Sequence, residues 1–110
     1  MTFFPCPYLD SDVELTDKRE HHITLHHPDL LPRYRQCIPD TLILPDRVTQ
    51  SSRIRNARLF SRWFDDLRGG KYVVVVVVSD LGLAVERHWI VTAYMTRQLA
   101  KGGNVEWERT

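Results

Sequence analysis

Hydrophobic and polar positions divide this chain into a helical first half and a strand-rich second half. Residues 1 to 12 carry Pro5 and Pro7 and show little periodicity, which predicts an extended, partly loose arm. Val13-Glu14-Leu15 predicts a short strand leading into a helix over Asp17 to His26 or His27. Thr16 and Asp17 are N-cap residue types, Asp17 and Glu20 suit the positive end of the helix dipole, and Pro28 stops the helix. A second helix is predicted from Pro32 to Leu44, because Tyr34, Cys37, Ile38, Thr41 and Leu42 recur on one helical face. Pro39 predicts a kink or a restart within it, since an interior proline removes a hydrogen bond.

The second half changes period. Val48 to Ser52 is a weak strand signal, and Ala57 to Phe64 is aromatic and alternating. Gly69-Gly70 permits the tight turn before Lys71 to Ser79, which contains six consecutive valines. Valine favours strand through its stiff χ1, and a run without polar alternation predicts a central strand buried on both faces. A loop over Asp80 to Arg87, a strand over His88 to Met95, a short helical piece over Thr96 to Ala100 and a short edge strand near Val105 follow.

Composition and charge narrow the function. A chain of 110 residues, 43% hydrophobic and 26% charged, fits one ordinary α+β domain over 13–110 behind the arm. A net charge of +1 excludes a strongly basic coat protein for nucleic acid. It leaves room for a local basic band: Arg53, Arg55, Arg58 and Arg62, followed by Arg68 and Lys71. Cys6 and Cys37 lack metal-type spacing and read as reduced thiols. The proline-broken start does not resemble a signal peptide, and no apolar run spans a membrane. The cytoplasm is therefore expected.

Four of the five histidines cluster at His21, His22, His26 and His27. Imidazole can serve as both general acid and general base, the pair that RNA cleavage by internal transfer requires. A cation such as an arginine would stabilise the charge on phosphorus. Solvated histidines at a helix C-terminus are the plainer reading of His21 and His26. His27, at the helix exit, can turn toward the sheet. His22 and His26 have an i, i+4 spacing that can hold a metal, but no third ligand accompanies them, and neither metal nor cofactor is expected. Strand alternation places Arg58, Phe60, Arg62 and Phe64 on one face, and His88, Ile90, Thr92 and Tyr94 on one face of the last long strand. An open sheet face carrying arginines with His88, Thr92 and Tyr94 would suit RNA; a solvated face with ordinary charges is the alternative.

In order, LTDKREHHITLHHPDLL, IPDTLILPDRV, NARLFSRW, KYVVVVVV and HWIVTAY resemble a small phage and bacterial branch of the barnase–EndoU–colicin–RelE-like (BECR) nucleases, across residues 15 to 95. The resemblance implies two N-terminal helices packed on a four-stranded antiparallel sheet. It also implies metal-independent endoribonuclease activity, and toxin-like or mobile-element settings with an antitoxin or immunity partner. By position it assigns catalysis to His27, to Arg62 (or Arg58) and to Thr92 and Tyr94, with His22 either active or orienting the helix. Arg58, Arg55, Lys71 and His88 would contact RNA. No lysine matches a His-His-Lys triad by spacing, and Lys71 stands nearest. A non-catalytic RNA- or protein-binding module on the same basic sheet face is the alternative function.

Overall fold

The computed structural model describes residues 1–82 and 85–110. Among them, seven strands form one mixed sheet with two α-helices. The strands are β1 (Thr2–Cys6), β2 (Ser11–Leu15), β3 (Arg47–Gln50), β4 (Ala57–Phe64), β5 (Lys71–Asp80), β6 (Arg87–Thr96) and β7 (Val105–Glu108). The helices are α1 (Asp17–His26) and α2 (Cys37–Ile43). Sheet order is β1-β2-β6-β5-β4-β3-β7, antiparallel throughout except for β2 beside β6.

The expected four-stranded antiparallel sheet behind two N-terminal helices is therefore incorrect. Strands β3 to β6 do form an antiparallel meander, but it is only the centre of a wider sheet. The supposed arm is a hairpin. Phe4 and Cys6 alternate inward against Val13 and Leu15, all buried. Pro5 hides this period-two pattern, yet β1 is an edge strand, where a missing donor costs no ladder bond. At the opposite edge β7 pairs with β3.

Helix α1 begins as its cap chemistry requires, with Thr16 Oγ1 accepting from Arg19 N at 3.2 Å. The second helix is shorter than periodicity implies. Residues 28–36 form turns, and α2 starts at Cys37. Pro39 consequently lies in the first helical turn, where no N–H is needed, and it produces neither kink nor restart. The apolar face survives the shortening, with Ile38, Thr41 and Leu42 buried. Arg35 joins these parts. Its guanidinium donates to Glu20 Oε2 at 2.7 Å and to Thr2 Oγ1 at 3.0 Å, and lies over the Phe4 ring.

Strand β5 occupies the middle of the sheet. Val73, Val75 and Val77 enter the main core beneath the helices, together with Phe60, Ile38 and Leu42. Val74 and Val76 enter a smaller cluster on the other face, beside Ala57, Leu59, Tyr94 and Leu99. Each buried valine contributes roughly 1.5–3 kcal/mol. The loop between β5 and β6 is shorter than expected, because pairing continues to Asp80 and Arg87; of the expected loop, residues 83 and 84 lie outside the described residues. Of the predicted helical piece over Thr96 to Ala100, Thr96 ends β6 and residues 97–100 are irregular chain.

Phe60 is fully buried and meets the Tyr8 ring edge-on at 5.9 Å. Phe60→Ala is expected to cost about 3–5 kcal/mol, read as a lower urea midpoint at unchanged slope.

Candidate functional site

Sheet register decides which of the expected site residues can meet. Arg62 pairs with Val73, and Val73 with Met95, so these share the helix-covered face. Ser61 pairs with Val74, and Val74 with Tyr94, on the open face. Strand β6 changes phase between its ends. Val76 is opposite Thr92, but Val77 is opposite Ile90, leaving Val91 as a bulge. His88 and Ile90 consequently face the helix side, whereas Thr92 and Tyr94 face the open side. The single face expected for these four residues does not exist.

The proposed catalytic group divides accordingly. Arg62 lies two strands, roughly 10 Å, from Tyr94 and on the opposite face. Its Nη1 donates to the Asp40 carbonyl at 3.1 Å, and its guanidinium covers Phe64. Lys71 shares that helix-covered face, opposite Phe64 in the β4–β5 register. His22 is exposed on α1 and stacked on His26, with ring centroids 4.1 Å apart. Its pKa is lowered, first by partial loss of solvation and then by the charges of His26, Arg19 and His27. Thr92 shares the open face with Tyr94, and His27 and Tyr94 come together. The half-buried imidazole at the α1 exit lies 5.9 Å from the Tyr94 ring centre. Burial raises the pKa of the Tyr94 phenol, so it is protonated at neutral pH.

The expected RNA-binding set is also divided. Arg58 faces the helix side and is neutralised there, its Nε donating to Glu106 Oε1 at 2.9 Å. Tyr8 donates to the same carboxylate at 2.8 Å. Arg58 Nη1 also reaches Ser79 Oγ at 3.4 Å, and that oxygen lies 2.6 Å from His88 Nδ1. His88 is buried rather than displayed. Arg55 is exposed and lines a separate cavity of about 510 Å³.

The open face carries a groove of about 610 Å³ that strand alternation did not reveal. Its floor is Leu59, Ser61, Val74 and Tyr94, and the chain over 99–103 forms one wall. Arg47, Arg53 and Lys101 line it, and none of its described lining residues is acidic. Arg47 is partly engaged, since its Nη2 donates to Glu108 at 2.7 Å. Gly103 seats the wall. It has φ +75°, and a Cβ there would collide with the Gln50 carbonyl. Gln50 N donates to the Asn104 carbonyl at 2.8 Å, fixing the loop to β3. The Gly102-Gly103 pair was the sequence signal for this close approach. Trp63 and Tyr72 meet edge-to-face at 5.0 Å, also on the open side by register.

Among the described residues, no group of three or more His, Cys, Asp or Glu could hold a metal ion. No described helix is long and apolar enough to cross a membrane. Set against known protein families, curated proteins and solved structures, the chain matches none.

Burial alone would raise the Glu106 pKa. The hydrogen bonds from Tyr8, Arg58 and Gln50, with the Arg58 charge, outweigh it and hold the carboxyl below its ordinary 4.5. A depressed carboxyl contributes stability above its unfolded pKa and loses it as pH falls through the folded value. Glu106→Gln is therefore expected to lower the urea midpoint at neutral pH and to flatten the loss of stability below about pH 4.5, measured as midpoint against pH.

Proposed function

We propose that this chain is a non-catalytic binding module that takes single-stranded RNA in the groove of the open sheet face. The observation that supports this reading most is charge segregation. The chain has 15 Lys and Arg against 14 Asp and Glu, yet three cations and no described acid line the groove. Cations provide the salt-sensitive attraction to phosphate. Ser61 and Thr49 add hydroxyl groups at the same surface, and Tyr94 supplies a ring on which a base can stack. Arg47 is the weakest of the three cations, because Glu108 competes for it.

A second reading keeps cleavage, and the meeting of His27 with Tyr94 favours it. Tyr94 both lines the groove and touches the imidazole. In that mechanism neutral His27 takes the proton from the 2′-OH. The oxygen attacks phosphorus, and the protonated Tyr94 phenol donates to the departing 5′ oxygen, leaving a cyclic phosphate. Arg62 has no part in it, being on the other face. A toxin-like role with an antitoxin or immunity protein belongs to this second reading alone.

Fluorescence anisotropy with a labelled single-stranded oligoribonucleotide tests the first reading. Binding should weaken with salt at a slope of about −0.7 per phosphate contacted, and Arg53→Ala with Lys101→Ala should reduce that slope by roughly 1.4 in total. Salt-independent binding, or none by folded protein, rejects it. Incubation with RNA in EDTA separates the second reading. Cleavage abolished by His27→Ala, with binding retained, would establish catalysis; intact RNA at high protein concentration leaves a binding module.

A further inference from the structure

Beyond the groove, the open face carries a large aromatic side chain that the fold leaves partly uncovered. Trp63 is 39% exposed, although β4 is an inner strand of the sheet. Its ring is nevertheless fixed. The indole Nε1 donates to Asp65 Oδ1 at 2.6 Å, and the ring lies so close to Gly70 that a Cβ there would collide with it. Tyr72, half-buried, meets it edge-to-face. An indole pinned in this way has given up rotamer freedom without full burial, and it presents a preorganised π surface to solvent.

That surface continues the groove. Tyr94 is opposite Val74 and Tyr72 is opposite Thr96, so the two tyrosines are diagonal neighbours, roughly 7–8 Å apart. Trp63 is directly opposite Tyr72 on β4. The three rings therefore follow one diagonal across β6, β5 and β4. A small cavity of about 180 Å³, lined by Tyr72, adjoins the groove, and the two share Arg47 and Leu99. Asp46 and Glu108 line the small cavity too, but Arg109 meets the first at 2.6 Å and Arg47 the second at 2.7 Å. Charge there is balanced, unlike the charge along the groove, so this end of the face suits a base better than a phosphate.

We propose that Trp63 and Tyr72 form a second stacking station, which takes another base of the same single strand whose first base stacks on Tyr94. The inference rests on the reading of the groove as an RNA site and extends that site to the far end of the face. A strand held by the groove cations alone binds through a salt-sensitive attraction. A second stack adds affinity that salt does not remove, and every base has a π face to offer, so the station tolerates any sequence. The rings also set a minimum length. From β6 to β4 is two strand spacings, roughly 10 Å, and a ligand must cross that distance to occupy both stations.

Fluorescence anisotropy with labelled octauridylate, read together with intrinsic tryptophan emission, tests this. Trp63→Ala should weaken binding about tenfold, the effect of one lost stack, at an unchanged salt slope because no phosphate contact is removed. Trp63→Phe should cost about threefold, since a smaller ring still stacks. Unlabelled octauridylate should quench the emission of the unaltered protein, and Trp63→Phe should lose most of that quench while still binding. Salt-dependent binding that both variants leave within about twofold of the unaltered protein overturns the second station and leaves the groove reading standing. Equal quenching of the unaltered protein and of Trp63→Phe, with both binding, does the same. No binding by the folded, unaltered protein overturns both.

Discussion

A strand that is apolar on both faces has to be covered on both faces, and β5 imposes that condition on the whole molecule. The helices satisfy it on one side. On the other, Val74 and Val76 are sheltered by flanking strands and by Leu99 from the chain that follows β6. That chain is held down through Gly103 and Asn104 against β3. The groove is what remains between this cover and the sheet. Its cations come from β3 (Arg47), the loop after β3 (Arg53) and the cover (Lys101), and β5 contributes Val74 to its floor.

The strength of a local signal determined how much of the architecture could be read from residue order. The α1 boundaries follow from Thr16, Asp17 and Pro28, and β4 from its alternation and the glycines after it. Prolines misled in both directions. Pro5 concealed a strand because its edge position is a tertiary fact. Pro32 and Pro39 sat within a good apolar face but shortened the helix carrying it. Sheet width was legible only in part: the short strand at Val13–Leu15 and the edge strand near Val105 form as β2 and β7, but β1 gave no signal, and the partners that join β2 and β7 to the meander lie far away in the chain.

The site was less legible than the fold, and a single inserted residue accounts for much of the difference. Strand alternation is a sound rule until a bulge shifts its phase. Val91 does this midway along β6, and no residue type nearby announces it. The shift moves His88 into the interior and leaves Thr92 and Tyr94 outside. Arginine counting failed for another reason. Arg58 and Arg62 carry the same charge as Arg53 and Lys101, but their partners, Glu106 and the Asp40 carbonyl, come from distant segments. A guanidinium so engaged is an internal strut and a poor clamp for a ligand.

The one parallel junction in the sheet has a consequence for how the molecule assembles. Hairpin β1–β2 meets β6 through a single residue pair, Glu14 with Trp89, reinforced by the Glu14–Arg87 ion pair. The meander β3 to β6 closes through short connections, whereas this seam requires segments from the two ends of the chain to find one another. Loop-closure entropy makes so distant an encounter slow. The seam thus behaves as the clasp of the fold: the central layer can take shape on neighbouring contacts, and docking of the leading hairpin completes it.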